Sequence, residues 1–214
     1  MELVTPLHPD KFSDPKLTLN GETRAYVEYE GLDTLWFNTG TLCNLTCDNC
    51  YIESSPTNDA LVFLTLDEVR GFLDEGERIG DVPSEIGFTG GEPFVNPHMC
   101  DMLLHVLERG YRALVLTNAM RPMQRPRVRE TLGTLQARFG DQLSIRVSLD
   151  HYTSILHEKE RGIGSWAPAV NGLNWLSDNA FNISVAGRTC WGESVSDARL
   201  GYADLFRTQG WGID

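Results

Sequence analysis

Basic residues are scarce in this chain: 18 lysines and arginines stand against 30 aspartates and glutamates, a formal charge of -12 over 214 residues. That acidic excess repels a phosphate backbone, so no nucleic acid is expected as a partner. No apolar run reaches the roughly 18 residues that a membrane-spanning helix needs, and no membrane partner is expected. The opening MELVTPLHPDKFSDPK lacks the basic-then-apolar order of a secretory leader, which points to a cytoplasmic, reducing location. Cysteines are few, five in all, and in such a compartment they read as metal ligands or free thiols rather than a disulfide framework. No internal repeat, low-complexity tract or charge block divides the chain. Its length suits one well-filled core, read as residues 35–214, with residues 1–34 as an N-terminal extension.

What is present is an alternation of short β-rich runs with longer amphipathic ones. DTLWFNTG (33–40) predicts a strand and LTLDEVRGFLDEGERIG (64–80) a helix. Thr65 and Glu68 are spaced as a capping box, and Leu66, Val69, Phe72 and Leu73 share one face. SEIGFTGG (84–91) predicts the second strand, and Asn96-Pro97 is expected to open a helix to Arg109 with proline in the first helical position. RALVLTN (112–118), LSIRVSLD (143–150) and FNISVAGRT (181–189) predict three more strands. Helices are expected within 124–139, from about 167 to 179 and from about 196 to 209. Strands separated by helices call for an α/β fold with a parallel sheet. Five strand and helix pairs at about 35 residues each run from Leu35 to Gly210. Only WGID follows, fewer than the roughly 5 residues of an average strand, so a sixth, C-terminal unit is expected to be cut off or only beginning. TRAYVEYEG (23–31) is expected to add an edge strand or hairpin, and the polar stretch YIESSPTNDALVF (51–63) a lid.

In such a sheet the chemistry gathers at the carboxyl ends of the strands. TLCNLTCDNCYIE follows the first strand, TGGEPF the second, TNAMRP the third, SLDHYTS the fourth and GRTCWGE the fifth. Cys43, Cys47 and Cys50 have the spacing C-x3-C-x2-C, tight enough for one loop to wrap a single inorganic centre. A structural zinc site takes four protein ligands, and no histidine lies within forty residues downstream of Cys50. A four-iron cluster held by three thiolates instead leaves one iron open to an exogenous ligand. A structural zinc-binding protein without redox activity stands as the alternative. Cys100 falls in a predicted helix and reads as a small buried apolar residue. Cys190 stands on the rim after the fifth strand, a candidate to face substrate or to ligate something else, though with Cys100 it makes no auxiliary cluster.

CNLTCDNCY resembles the cluster motif of the radical S-adenosylmethionine (radical SAM) enzymes, and GGEP at 90–93 resembles their second signature, on the second strand. The resemblance covers roughly residues 35–190, most closely the branch with molybdenum-cofactor and peptide-modifying enzymes. It implies a partial (β/α)6 barrel of TIM-like type, a [4Fe-4S] cluster on Cys43, Cys47 and Cys50, and reductive cleavage of S-adenosyl-L-methionine to a 5'-deoxyadenosyl radical. It also implies an external electron donor of flavodoxin or ferredoxin type and a small-molecule or peptide substrate. Gly90, Gly91, Glu92 and Pro93 become cofactor-binding residues. The glycines are expected to let the backbone approach the methionine amino group, and Glu92 to offer it negative charge. VSLDHYTSILHEKERG is similar to the family's fourth strand and following turn, where a serine and an arginine grip the cofactor carboxylate, so that Ser148 and Arg161 are assigned there. Asp150 is read either as facing ribose or substrate or as a helix-cap or turn residue closing the strand. Asn49 departs from the aromatic residue usual before the third cysteine.

Overall fold

The computed structural model describes residues 8 and 10–213. They form two compact units that meet in the chain between Gly31 and Leu32, against an expected boundary at 34/35. In the first unit Leu17 pairs antiparallel with Thr23, and the Thr18 and Arg24 amides donate to the Glu22 and Lys16 carbonyls. Residues 24–31 join no strand. Among the described residues, the edge strand or hairpin expected over 23–31 goes no further than the single bridge at Thr23.

The second unit is an α/β fold built on five strands: β1 (Thr34–Asn38), β2 (Glu85–Thr89), β3 (Arg112–Thr117), β4 (Leu143–Ser148) and β5 (Asn182–Ala186). All four pairings are parallel and the strands lie in sequence order, the arrangement of a partial barrel. No sixth strand occurs among the described residues. The helices are α1 (Leu66–Ile79), α2 (Met99–Glu108), α3 (Pro126–Phe139), α4 (Ser154–Arg161), α5 (Trp166–Asp178) and α6 (Val195–Gln209). One apolar core, with Ile86, Phe88, Leu103, Val115, Leu132, Ile145 and Leu173 at its centre, fills the space between sheet and helices.

Strand parity decides what faces the barrel interior. On β4, Leu143, Ile145 and Val147 are buried against the helices, while Ser144, Arg146 and Ser148 alternate with them on the other face. There Asn182 donates to the Ser144 hydroxyl at 2.8 Å and Arg146 to Ser184 at 3.3 Å, so the inner face of β4 and β5 is polar.

The capping box at Thr65 and Glu68 is formed, and Val69 and Leu73 are buried below it. Phe72 stands at the edge of that face, 55% exposed, with its ring 5.9 Å from Phe37. The second helix starts later than expected. Pro93–Val95 make a short 3-10 turn, and α2 begins at Met99, past Pro97. The Asn96 side chain, expected at the helix start, accepts the His98 amide and donates to the carbonyls of Thr39 and Leu64, tying this turn to the segments around β1 and α1. Helix α4 has no counterpart in the sequence-based reading. Its buried face carries His157 and Glu160 while Ile155 is 78% exposed, the reverse of the apolar stripe by which helices are recognised.

Candidate active site

The loop after β1 carries the cysteines, and a weld to the loop after β2 positions it. The Gly91 amide donates to the Gly40 carbonyl at 2.8 Å and the Glu92 amide to the Leu42 carbonyl at 3.1 Å. A Cβ on Gly91 would lie 2.3 Å from the Leu42 oxygen, and one on Gly90, whose φ is +136°, 2.7 Å from the Gly40 oxygen. These two glycines are required by contact with the protein's own backbone. On its other side the loop is pinned by the Cys43 amide on the Ser55 carbonyl at 3.0 Å. The Thr41 hydroxyl donates to the Asn58 carbonyl, and the Asn58 amide group to the Glu53 carbonyl. The stretch read as a lid is thus fastened to the loop over 53–58.

Cys43, Cys47 and Cys50 line one cavity of about 200 Å³ together with Gly90, Gly91, Asn118, Ser148, Arg161 and Arg188. The structure therefore brings together the three cysteines, the glycine pair, the serine and the arginine named from the sequence. A groove of about 770 Å³ along α2 and α3 is larger, but Cys100 is its one thiol, so size does not locate the chemistry. Cys190 is exposed and lies outside the thiol cavity.

Burial pushes the Cys43 thiol up to about 11, partly offset by the Leu45 amide, and burial raises Cys47 as well, against the pull of Arg161. Burial works against the charge of Arg161, but Asp150 and the two thiols outweigh it and the guanidinium is held still more firmly protonated than usual. The Ser54 amide donates to the Cys50 sulfur at 3.2 Å. The Ser54 hydroxyl beside it is buried without a hydrogen-bond partner among the described residues.

Glu92, Pro93 and Asp150 lie behind the cavity wall. The Glu92 carboxylate accepts from the Thr117 hydroxyl at 2.7 Å, the Asn118 amide at 2.8 Å and the Phe94 amide at 3.2 Å. Burial nevertheless raises its pKa. Pro93 is buried as the first residue of the 3-10 turn. Asp150 pairs with Arg161 at 2.5 Å and with Arg188 at 3.2 Å. Asn49 turns its side chain to Glu160 at 2.7 Å. The sequence points to no role for Asn118, Glu160 or Arg188, and to Ser54 only as a residue of the polar 51–63 stretch. Asn118 links β3 to the cysteine loop by donating to Asn44 at 2.9 Å, and the place of Asn118 and Arg188 on the rim after β3 and β5 was the signal available for them.

The Radical SAM superfamily profile matches residues 37–198. The chain belongs to the radical SAM superfamily. Among radical SAM relatives, it is 33% identical over 145 residues to the antilisterial bacteriocin subtilosin biosynthesis protein AlbA of Bacillus subtilis (strain 168), covering 67% of this chain and 30% of that protein. It is 29% identical over 139 residues to the mycofactocin maturase MftC of Mycobacterium ulcerans (strain Agy99), covering 65% of this chain and 35% of that one. The chain thus spans about a third of the length of these curated relatives. In fold it is similar to Streptococcus suis SuiB bound to S-adenosylmethionine, with a TM-score of 0.66 at 13% identity over 85% of this chain and 39% of that one. Methylornithine synthase (PylB) gives a TM-score of 0.62 at 16% identity, over 86% of this chain and 52% of that one.

Radical SAM proteins use a [4Fe-4S] cluster and S-adenosylmethionine, and the residues present fit both. Three thiols face one cavity, an unpartnered buried hydroxyl lies beside one of them, and two guanidiniums line the same wall. Among the described residues no three His, Cys, Asp or Glu side chains gather as a site for one metal ion. A structural zinc needs four ligands converging at about 2.0–2.3 Å, whereas a cubane cluster takes its thiolates at separate corners.

Proposed function

We propose that this chain is the cluster-binding and cofactor-binding core of a radical SAM enzyme acting on a peptide substrate. The observation that carries the reading is the single cavity shared by Cys43, Cys47, Cys50, Gly90, Gly91, Ser148 and Arg161. The three cysteines are the cluster ligands. Ser148 and Arg161 receive the carboxylate of the cofactor, and the backbone of Gly90 and Gly91 meets its methionine end. Glu92, Pro93 and Asp150 serve the cofactor from behind the cavity wall, Glu92 by shaping the glycine turn and Asp150 by aiming Arg161. When bound and reduced, the cluster supplies the electron that cleaves the cofactor to a 5'-deoxyadenosyl radical, which starts substrate modification.

A peptide is favoured over a small molecule because relatives include a bacteriocin biosynthesis protein and a maturase, and a structural neighbour is SuiB bound to the precursor peptide SuiA. An external flavodoxin or ferredoxin as donor and a cytoplasmic setting belong to the same reading, since three free thiols on one loop and a reduced cluster need a reducing compartment.

Anaerobic reconstitution followed by iron and sulfide analysis tests it. About four irons and four sulfides per chain are expected, and one zinc without sulfide would overturn the reading. Cys43→Ala, Cys47→Ala and Cys50→Ala should each abolish cluster absorbance, while Cys100→Ala should retain it. Full iron in any of the three would remove that cysteine from the ligand set.

A further inference from the structure

Between Cys47 and Cys50 the loop makes one short turn of its own, with the Cys50 amide on the Cys47 carbonyl at 3.3 Å. Among the described residues, every hydrogen bond that residues 46–50 make beyond residues 46–54 ends on Glu160. The Glu160 carboxylate accepts the Asn49 backbone amide on one oxygen at 3.0 Å and the Asn49 side-chain amide on the other at 2.7 Å. Its carbonyl accepts the Asp48 amide at 2.9 Å.

This carboxylate is only 3% exposed, and a carboxylate so placed is costly unless its acceptor sites are filled and a cation is near. Arg188, just past β5, stands 3.6 Å from it and 3.2 Å from Asp150. Asp150 in turn holds Arg161. The third-cysteine end of the loop, the last turn of α4 and the exits of β4 and β5 therefore form one charged network. Glu160 and Arg161 are neighbours on α4, one facing the loop and the other the cavity, so any shift of that turn moves the loop and the guanidinium together.

We infer that Glu160 is a positioning residue, clamping the Asp48-Asn49 turn so that Cys47 and Cys50 stay in register with Arg161. The assignment rests on the reading of the cysteines as cluster ligands. It also accounts for Asn49: its backbone N–H meets one Glu160 oxygen and its side-chain Nδ2–H the other, a second bond that an aromatic ring in its place does not supply.

The test uses Glu160→Ala, Glu160→Gln, Asn49→Ala and the double Glu160→Ala/Asn49→Ala protein. Asn49 is an exposed loop residue, so its variant keeps the question answerable if the loss of Glu160 disturbs folding. In cluster-free protein, hydrogen exchange of the Asn49 amide should quicken about tenfold in Glu160→Ala, the loss expected for a charged hydrogen bond. In reconstituted protein, iron release to a chelator should quicken by about tenfold in Glu160→Ala and also rise in Asn49→Ala, with the double variant no faster than Glu160→Ala alone. Glu160→Gln, which keeps an acceptor for the Asn49 amide, should recover part of the loss in both readouts. Wild-type exchange in Glu160→Ala, or additive iron release in the double variant, would overturn the clamp. Should wild type take up no iron, the cluster reading fails, and the amide exchange alone decides whether Glu160 holds the loop.

Discussion

At the scale of single residues, Gly91 separates two accounts of the second motif. Its sequence context suggests that a missing side chain leaves room for the cofactor, but the missing Cβ points at the Leu42 carbonyl, 2.3 Å away, within the chain segment that leads into Cys43. Gly91→Ala should therefore displace the cysteine loop and lower iron loading as well as the spectral response to S-adenosylmethionine. A Gly91→Ala protein with full iron and no cofactor response would favour the first account. Glu92 behaves likewise: its carboxylate is spent on Thr117, Asn118 and Phe94. Glu92→Ala leaves buried donors unpaired and should cost about 1–3 kcal/mol or more, read as a lower denaturant midpoint at unchanged slope. An unchanged midpoint would mean that water fills the gap without penalty.

At the scale of an element, α4 is a helix with a polar interior. His157 is fully buried, neither ring nitrogen has a hydrogen-bond partner among the described residues, and its edge meets Trp166 with ring centroids 5.5 Å apart. Burial first, then the nearby Arg161, depress its pKa from 6.5 to about 4. The unfolded chain takes up this proton at a higher pH than the folded one, so the stability tied to a neutral His157 is complete above pH 6.5 and is lost as pH falls toward 4. His157→Leu, with no proton to gain, should flatten the fall of the melting midpoint across that window. A slope identical to wild type would place the acid sensitivity elsewhere. The same polar face explains why the helix escapes detection by apolar periodicity, and it is the face that supplies Glu160 and Arg161 to the site.

At the scale of the whole molecule, one buried carboxylate joins elements far apart in the chain. Asp150, after β4, binds Arg161 at the end of α4 and Arg188 after β5, and its carbonyl accepts the Arg188 amide at 2.9 Å. Asp150→Ala strands a buried guanidinium beside Cys43 and Cys47 and should cost about 3–5 kcal/mol of unfolding free energy. Chemical denaturation would measure it, and a loss within the error of the method would show that the thiols and solvent suffice to hold Arg161. The five strands, the capping box at Thr65 and the C-x3-C-x2-C loop were legible from residue order, because hydrophobic period, cap spacing and ligand spacing are properties of short stretches of chain. The rim on which the motifs fall follows from the parallel alternation of strand and helix. Glu160 and Asn49 are 111 residues apart, and neither spacing nor composition joins them. Which face Glu92 turns to, what Gly91 leaves room for and which cations Asp150 holds were decided by tertiary structure alone. Each depends on which strand exits lie side by side, and a buried polar group takes whatever partner that packing brings within reach.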